Sequence, residues 1–203
     1  MCITLQSYLL FRSENAGYYL CIMIKKSMLE LERLSPGDFE TAKKMPLIVI
    51  LENVRSMHNV GSVFRTADAF RVEMVLLCGY TPQPPHRDIQ KTALGATETV
   101  VWKAFPSALE AITEAKRLGY RVYAVEQTHE SQHLNSFKVS PNEHLALVFG
   151  NEAMGVEEGT LTHCDGAIEI PQFGTKHSFN ISVSAGIVLW DLFNKIQLHE
   201  ENK

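Results

Sequence analysis

Cysteine is scarce in this chain: the four present, Cys2, Cys21, Cys78 and Cys164, stand far apart. No CxxC pair or finger-like spacing exists, which excludes a zinc ribbon and a disulfide-stapled scaffold. Isolated thiols suit a reducing cytoplasm, the expected location. Long apolar runs are lacking too. None approaches the roughly 20 residues of a spanning helix, so no membrane association is expected. The N-terminus has no basic residue ahead of its first apolar stretch, and Arg12 and Glu14 follow closely, which does not fit a signal peptide. Positive charge is not in excess either: 19 basic against 23 acidic side chains leave a net charge of -4. That balance argues mildly against a plain nucleic-acid binder, because phosphate contacts need Lys and Arg. Finally, neither GxxxxGK[ST] nor GxGxxG occurs, so the two common phosphate-cradling fingerprints are absent.

What is present reads as one ordinary α/β domain. The chain has 203 residues, 45% of them hydrophobic and 21% charged, a globular composition without internal repeats. The charge is unevenly spread. Residues 1–103 carry 12 basic and 10 acidic side chains, whereas residues 104–203 carry 7 and 13. A polyanion would find its better surface in the first half.

Residues 1–22 show no sustained apolar period, and Met23 and Met28 offer later starts. Part of this segment is expected to be a translation-start artefact or a loose arm. Residues 28–44 look helical but broken at Ser35-Pro36-Gly37, with Ser35 capping a second turn. From residue 46 the pattern is regular. LIVILENV (47–54) predicts a strand buried on both faces. A helix is predicted over 59–70, with Asn59 as N-cap. Strands are expected at 72–78, 99–105, 121–126, 145–150 and 167–170, and helices at 86–94, 106–120 and 178–196. This alternation implies a mainly parallel open sheet flanked by helices.

Three segments carry candidate chemistry. In ENVRSMHNVGSVFRTADAF (52–70), Gly61 allows another backbone to approach closely. Arg65 lies off the apolar stripe, where its guanidinium is available to a phosphate or carboxylate; a pair with Asp68 three residues on is the alternative. In LVFGNEAMGV (147–156), Gly150 and Gly155 bracket a loop with a lone carboxylate, Glu152. This is compatible with a ligand wrap or with a tight strand-to-helix turn. In IEIPQFGTKHSFNISVSAGIVLWDLF (168–193), Pro171 stops a strand, a glycine-containing loop follows, and Ser178 or Asn180 caps a helix. His129 and His133 share a spacing of four, but no third ligand is apparent, so no metal is expected.

Together these segments resemble the three motifs of the SpoU (TrmH-like) RNA methyltransferases of the SPOUT superfamily. NVGSVFRTADAF looks like motif one, LVFGNEAMGV like motif two and IPQFGTKHSFNISVSAGI like motif three. The resemblance covers residues 46–196, leaving residues 1–45 as an N-terminal extension and 197–203 as a tail. Phe179 stands where Leu is usual, and Gln172 where Met is common. The resemblance implies an open α/β sheet whose C-terminal part, residues 145–196, forms a deep trefoil knot, a rare exception to the rules of chain connection.

It also implies S-adenosyl-L-methionine as cofactor, bound mostly through backbone groups. Gly150, Ile170 and Phe179 match cofactor-contacting positions. Val125 and Glu126 would line the adenosine pocket, with Gly155 and Gly174 easing close approach. The implied reaction is methyl transfer to a ribose 2′-OH of structured RNA. Arg65 matches the catalytic arginine, Asn59 its motif-one neighbour, and Glu152, Ser178 and Asn180 the remaining polar positions. The implied partners are RNA, tRNA rather than rRNA given the short flanks, and a second copy in a homodimer packed through the knot region. An RNA-binding maturation factor of the same fold without catalysis is the alternative; the intact polar set speaks against it.

Overall fold

The computed structural model describes residues 9–12, 18–21, 25–27, 29–31 and 33–201. Contacts divide the chain after Asp38. In the first part, β1 (Leu9–Arg12) pairs antiparallel with β2 (Tyr18–Cys21), Leu9 opposite Cys21. A 3-10 turn spans Leu29–Leu31, and α1 (Pro36–Thr41) starts where the sequence places it. Ser35 Oγ accepts the Asp38 N–H at 3.2 Å, the expected cap. The loose-arm reading of residues 1–22 falls largely on residues 1–8, 13–17 and 22, which lie outside the described residues, as do Cys2, Met23 and Met28. Where residues 1–22 are described, they form the two paired strands β1 and β2.

The second part is built on β3 (Met45–Glu52). The chain continues through α2 (Met57–Ala69), β4 (Val72–Cys78), α3 (Arg87–Ala93), α4 (Ala96–Thr99), β5 (Trp102–Phe105), α5 (Ala108–Arg117) and β6 (Arg121–Val125). It ends with β7 (Gln132–His133), β8 (Leu145–Phe149), α6 (Glu158–Leu161), β9 (Gly166–Glu169) and α7 (Ile181–Glu201). The sheet has seven strands in the order β5-β4-β3-β8-β6-β9-β7. Every ladder in it is parallel.

The apolar runs explain this arrangement. A strand's side chains alternate between faces, and here the alternation separates two cores. Leu47, Val49 and Leu51 of β3 join Leu145, Leu147 and Phe149 of β8 on the face covered by α2 and α7. Ile48 and Ile50 join Ala146 and Val148 on the face covered by α5. Parallel sheets need both faces covered, which is why these strands read as continuous apolar runs. Burying a side chain such as Leu47 contributes about 1.5–3 kcal/mol.

The fit between α2 and α3 depends on Gly61. A Cβ there would lie 2.3 Å from the Ile89 carbonyl oxygen and 2.2 Å from Thr92 Oγ1. The expectation that a second backbone approaches Gly61 is met by α3.

Several element boundaries differ from the sequence reading. Helix α2 begins at Met57, two residues earlier than expected, and Ser56, not Asn59, is its N-cap, accepting the Asn59 N–H at 3.2 Å. This leaves the Asn59 side chain for other work. The last helix starts at Ile181, capped by Asn180, and continues to Glu201. Strand β7 lies in the THESQHLNS stretch that reads as a polar loop; its ladder to β9 is only two residues long, too short to show a period. Helices α4 and α6, of four residues each, were not anticipated. Among the described residues no helix is long and apolar enough to cross a membrane.

Candidate functional site

Because the strands are parallel, the loops that follow β3, β6, β8 and β9 leave one edge of the sheet, the usual place for ligands in open α/β folds. The loops after β6, β8 and β9 enclose a cavity of about 330 Å³, within the size range of small-molecule sites. Its wall includes Val125 and Glu126 after β6, Gly150, Glu152 and Gly155 after β8, and Ile170, Ser178 and Phe179 after β9. Eight of the twelve residues singled out by sequence therefore surround one space.

The loop after β8 is folded back on itself. The Asn151 N–H donates to the Gly155 carbonyl and the Gly155 N–H to the Asn151 carbonyl, both at 2.9 Å. Gly155 has φ +70, a left-handed conformation that glycine adopts readily. A Cβ on Gly150 would lie 2.1 Å from the Gly155 carbonyl carbon. Gly150 thus makes room for the Gly155 backbone, and Gly155 for the Glu126 carboxylate, which would lie 2.1 Å from a Cβ there. Asn151 shapes the same turn: its Oδ1 accepts the N–H groups of Ala153 at 2.8 Å and Met154 at 3.2 Å. Glu126 reaches across from β6. Its carboxylate accepts the Val156 N–H at 3.0 Å and the Gln127 N–H at 2.9 Å.

At the lip of the cavity one hydrogen-bonded chain joins all three motifs. Asn180 Nδ2 donates to Asn59 Oδ1 at 3.3 Å, and Asn59 Nδ2 donates to Glu152 Oε1 at 3.0 Å. Glu152 then accepts the backbone N–H groups of Arg55 and Ser56, each at 3.1 Å. The carboxylate fills the N-terminus of α2, where unpaired amides and the helix dipole favour negative charge. Partial burial pushes the Glu152 carboxyl upward. The hydrogen bonds from Arg55, its own N–H, Asn59 and Ser56 outweigh that and hold it below the usual carboxylate range. Asn180 caps α7 with its other end: its Oδ1 accepts the Ser182 N–H at 2.9 Å.

A second, more open depression of about 350 Å³ adjoins the first at the Glu152 loop, lined by Arg55, Ser56, Asn59, Asn151, Glu152 and Ala153. It shares its last three lining residues with the first cavity.

Arg65, Gly174 and Asn180 line neither space. Arg65 follows Asn59 by six residues, which turns it about 240° around α2. Its exposed guanidinium has no ion-pair or hydrogen-bond partner among the described residues. The alternative pairing with Asp68 is not made: Asp68 Oδ1 accepts the Thr99 hydroxyl at 2.6 Å. No group of three His, Cys, Asp or Glu disposed for a metal occurs among the described residues. His133 pairs instead with Glu169, Nε2 to Oε1 at 2.7 Å. Sequence reasoning missed Ser56 and Asn151. Ser56 has the signal of a capping serine three residues before a partner amide, and Asn151 the signal of an Asx turn between two glycines.

The chain matches the SpoU rRNA Methylase family over residues 46–190. It is 34% identical over 150 residues to the 23S rRNA (guanosine-2′-O-)-methyltransferase RlmB of Neisseria meningitidis, covering 74% of this chain and 59% of that one. It is 33% identical over 145 residues to the tRNA (guanosine(18)-2′-O)-methyltransferase of Thermus thermophilus, covering 71% and 73%. The chain spans about three fifths of the length of the RlmB relatives from Neisseria and Xanthomonas. Among solved structures it resembles the TrmH/SpoU tRNA modifying enzyme of A. aeolicus, with a TM-score of 0.69, 27% identity and coverage of 81% and 80%. The SpoU methyltransferase AviRb of Streptomyces viridochromogenes, solved with AdoMet, shares the fold with a TM-score of 0.67 at 22% identity, covering 78% and 63%. With its three motifs joined at one sheet edge and the family match running through all of them, the chain belongs to the SpoU rRNA methylase family.

Proposed function

We propose that this protein transfers a methyl group from S-adenosyl-L-methionine to a ribose 2′-OH of structured RNA. The observation that carries the reading is the Asn180–Asn59–Glu152 chain: three distant motifs are tied to one helix N-terminus beside a nucleoside-sized cavity. The cavity suits the cofactor. Val125, Ile170 and Phe179 offer apolar walls for an adenine ring, and the Gly150–Gly155 turn and Ser178 offer polar groups. When bound, the cofactor supplies a methyl group already activated by a sulfonium.

The chain's own part is placement. Glu152 is held ionised with both oxygens accepting hydrogen bonds, so it orders α2 rather than removing a proton. A guanidinium stays protonated and is a poor base. Arg65 therefore orients the RNA through a phosphate and stabilises charge developing on the ribose oxygen. Its distance from the cavity fits a homodimer in which Arg65 reaches the partner's cofactor loops. The solvent-facing ring of Trp190 on α7, 5.9 Å from Phe70 and stacked 6.0 Å from Phe193, supplies an aromatic face for that contact. In this reading residues 46–196 are the catalytic unit and residues 145–196 form the trefoil knot, with Gly174 in its cofactor loop. The chain spans more of the Thermus tRNA enzyme than of the Neisseria rRNA enzyme, which makes tRNA the first substrate to test.

The test is methyl incorporation from labelled S-adenosyl-L-methionine into total RNA. Wild type should label RNA. Arg65→Ala should lose at least tenfold while its urea midpoint stays put, since exposed substitutions usually change stability by under about 0.5 kcal/mol. No labelling by wild type overturns the activity, and equal labelling by both overturns the role of Arg65.

A further inference from the structure

One aromatic residue near this site is not used by the core. Tyr80 follows Gly79 at the end of β4, and its side chain is 55% exposed. It is nonetheless firmly held. Its hydroxyl accepts from Asn151 Nδ2 at 2.8 Å, and its N–H donates to Asn53 Oδ1 at 3.3 Å. Asn151, only 7% exposed, also donates to the Asn53 carbonyl at 2.7 Å. The ring is thus tethered through its polar end while its body faces water. The Arg55 guanidinium lies over it, with Cζ 6.0 Å from the ring centre. The Arg55 side chain has no ion-pair partner among the described residues. Both residues adjoin the second depression: Arg55 lines it, and Tyr80 is bonded to its wall at Asn151.

The chemistry of that depression narrows the ligand. The amides of Arg55 and Ser56 at the start of α2 are already taken by the Glu152 carboxylate. A second anion is therefore repelled, and a phosphate is excluded from the floor. What remains for stacking is an aromatic ring with a planar guanidinium over it, next to the neutral hydrogen-bonding side chains of Ser56, Asn59 and Asn151. Flat faces of this kind bind unstacked bases of single-stranded RNA.

We infer that this depression receives the acceptor nucleoside, with its base stacked on Tyr80 and Arg55, next to the methyl donor with which it shares the Glu152 loop. The inference rests on the methyltransferase reading above. Tyr80 and Arg55 are then the residues that hold the target nucleotide out of its helix.

Two variants of Tyr80 separate the ring from the tether, because Tyr80→Phe and Tyr80→Ala both remove the hydroxyl bonded to Asn151, but only the second removes the stacking face. Three measurements are made on wild type, both variants and Arg55→Lys: kcat/KM for methylation of total RNA, affinity for a labelled single-stranded oligoribonucleotide of about 12 nucleotides, and calorimetric affinity for S-adenosyl-L-methionine. Tyr80→Phe should stay close to wild type. Tyr80→Ala should lose roughly 5- to 150-fold in kcat/KM and in oligonucleotide affinity, with cofactor affinity unchanged. Arg55→Lys keeps the charge but not the plane, and should weaken both in the same sense.

Equal values for Tyr80→Ala and Tyr80→Phe in both RNA measurements overturn the platform and leave the methyltransferase reading standing. If wild type methylates no RNA, that reading fails, and the oligonucleotide comparison still decides the platform: equal affinity for Tyr80→Ala and wild type overturns it. If Tyr80→Ala does not fold, an Arg55→Lys protein that binds the oligonucleotide as wild type does overturns the platform instead.

Discussion

Gly150→Ala tests whether the turn after β8 builds the cofactor cavity. The new Cβ would lie 2.1 Å from the Gly155 carbonyl carbon and 2.2 Å from both the Gly155 oxygen and the Val156 nitrogen. Carbon atoms in ordinary contact stand about 3.5–4.0 Å apart, so the opposing strand of the turn must retreat by about 1.5 Å. All three obstructing atoms are backbone, so no side chain can swing aside. The two hydrogen bonds between Asn151 and Gly155, both 2.9 Å, break with that movement. Each contributes about 0.5–1.5 kcal/mol, and residual overpacking adds about 1 kcal/mol or more. The expected loss is about 2–4 kcal/mol, a large part of a typical total of about 5–15. Urea unfolding reads this as a lowered midpoint. Calorimetry should show S-adenosyl-L-methionine binding reduced more than tenfold. Gly174→Ala is the control. Nothing lies within 4 Å of a Cβ there, and its stability should stay within about 0.5 kcal/mol of wild type. A Gly150→Ala protein as stable as the control, with cofactor affinity intact, refutes the argument.

Glu152→Gln should lower stability at pH 7 by about 1 kcal/mol, a figure kept small because solvent reaches the carboxylate. Since the folded-state carboxyl titrates below its usual range, its contribution is complete above the unfolded value of about 4.3 and is lost as pH falls through the lower folded value. The melting-temperature gap between wild type and variant should therefore close in acid; a gap that persists unchanged to pH 3 contradicts this reading. Asn180→Ala removes the cap of α7 and the tie to Asn59, and should cost about 1 kcal/mol, seen as a drop of about 2–4 °C in Tm; an unchanged Tm would show the cap to be idle. Burial pushes the Cys78 thiol up to about 12 and the Cys164 thiol up to about 11. Neither should react with iodoacetamide at pH 8 until the protein is unfolded, and peptide mapping that finds either alkylated in native protein refutes that burial.

The apolar runs were the most legible feature, for a simple reason. A strand covered on both faces must be apolar at every position, so LIVIL and LALVF announce themselves whatever surrounds them. Strand β7 announces nothing, because its two residues pair only with the edge of β9. The start of α2 shows a subtler failure. Ser56 and Asn59 are both good caps by residue type, and only the fold decides between them. Glu152, 93 residues on in the chain, claims the Asn59 side chain, leaving Ser56 to cap. In the same way Asp68 is a natural partner for Arg65 by spacing, but Thr99, 31 residues on, takes it.

The candidate site divides along the same line. Its residue types, its glycine positions and the order of its three motifs are local facts, and they were readable from the chain. So were the parallel sheet and the family resemblance, since both rest on patterns within short windows. What only the tertiary structure decided is how the polar residues are used. Glu152 appears in sequence as a lone carboxylate in a glycine-bracketed loop; in the fold it accepts hydrogen bonds from two backbone amides and from Asn59. Gly150 and Gly155 appear as room for a ligand; in the fold they line the cavity, and Gly150 also makes room for the Gly155 backbone and Gly155 for Glu126. Tyr80 has no signal at all in its own neighbourhood, and acquires one from Asn151, 71 residues away. Hydrogen bonds and close contacts between distant segments depend on how strands pair, and no local pattern encodes that.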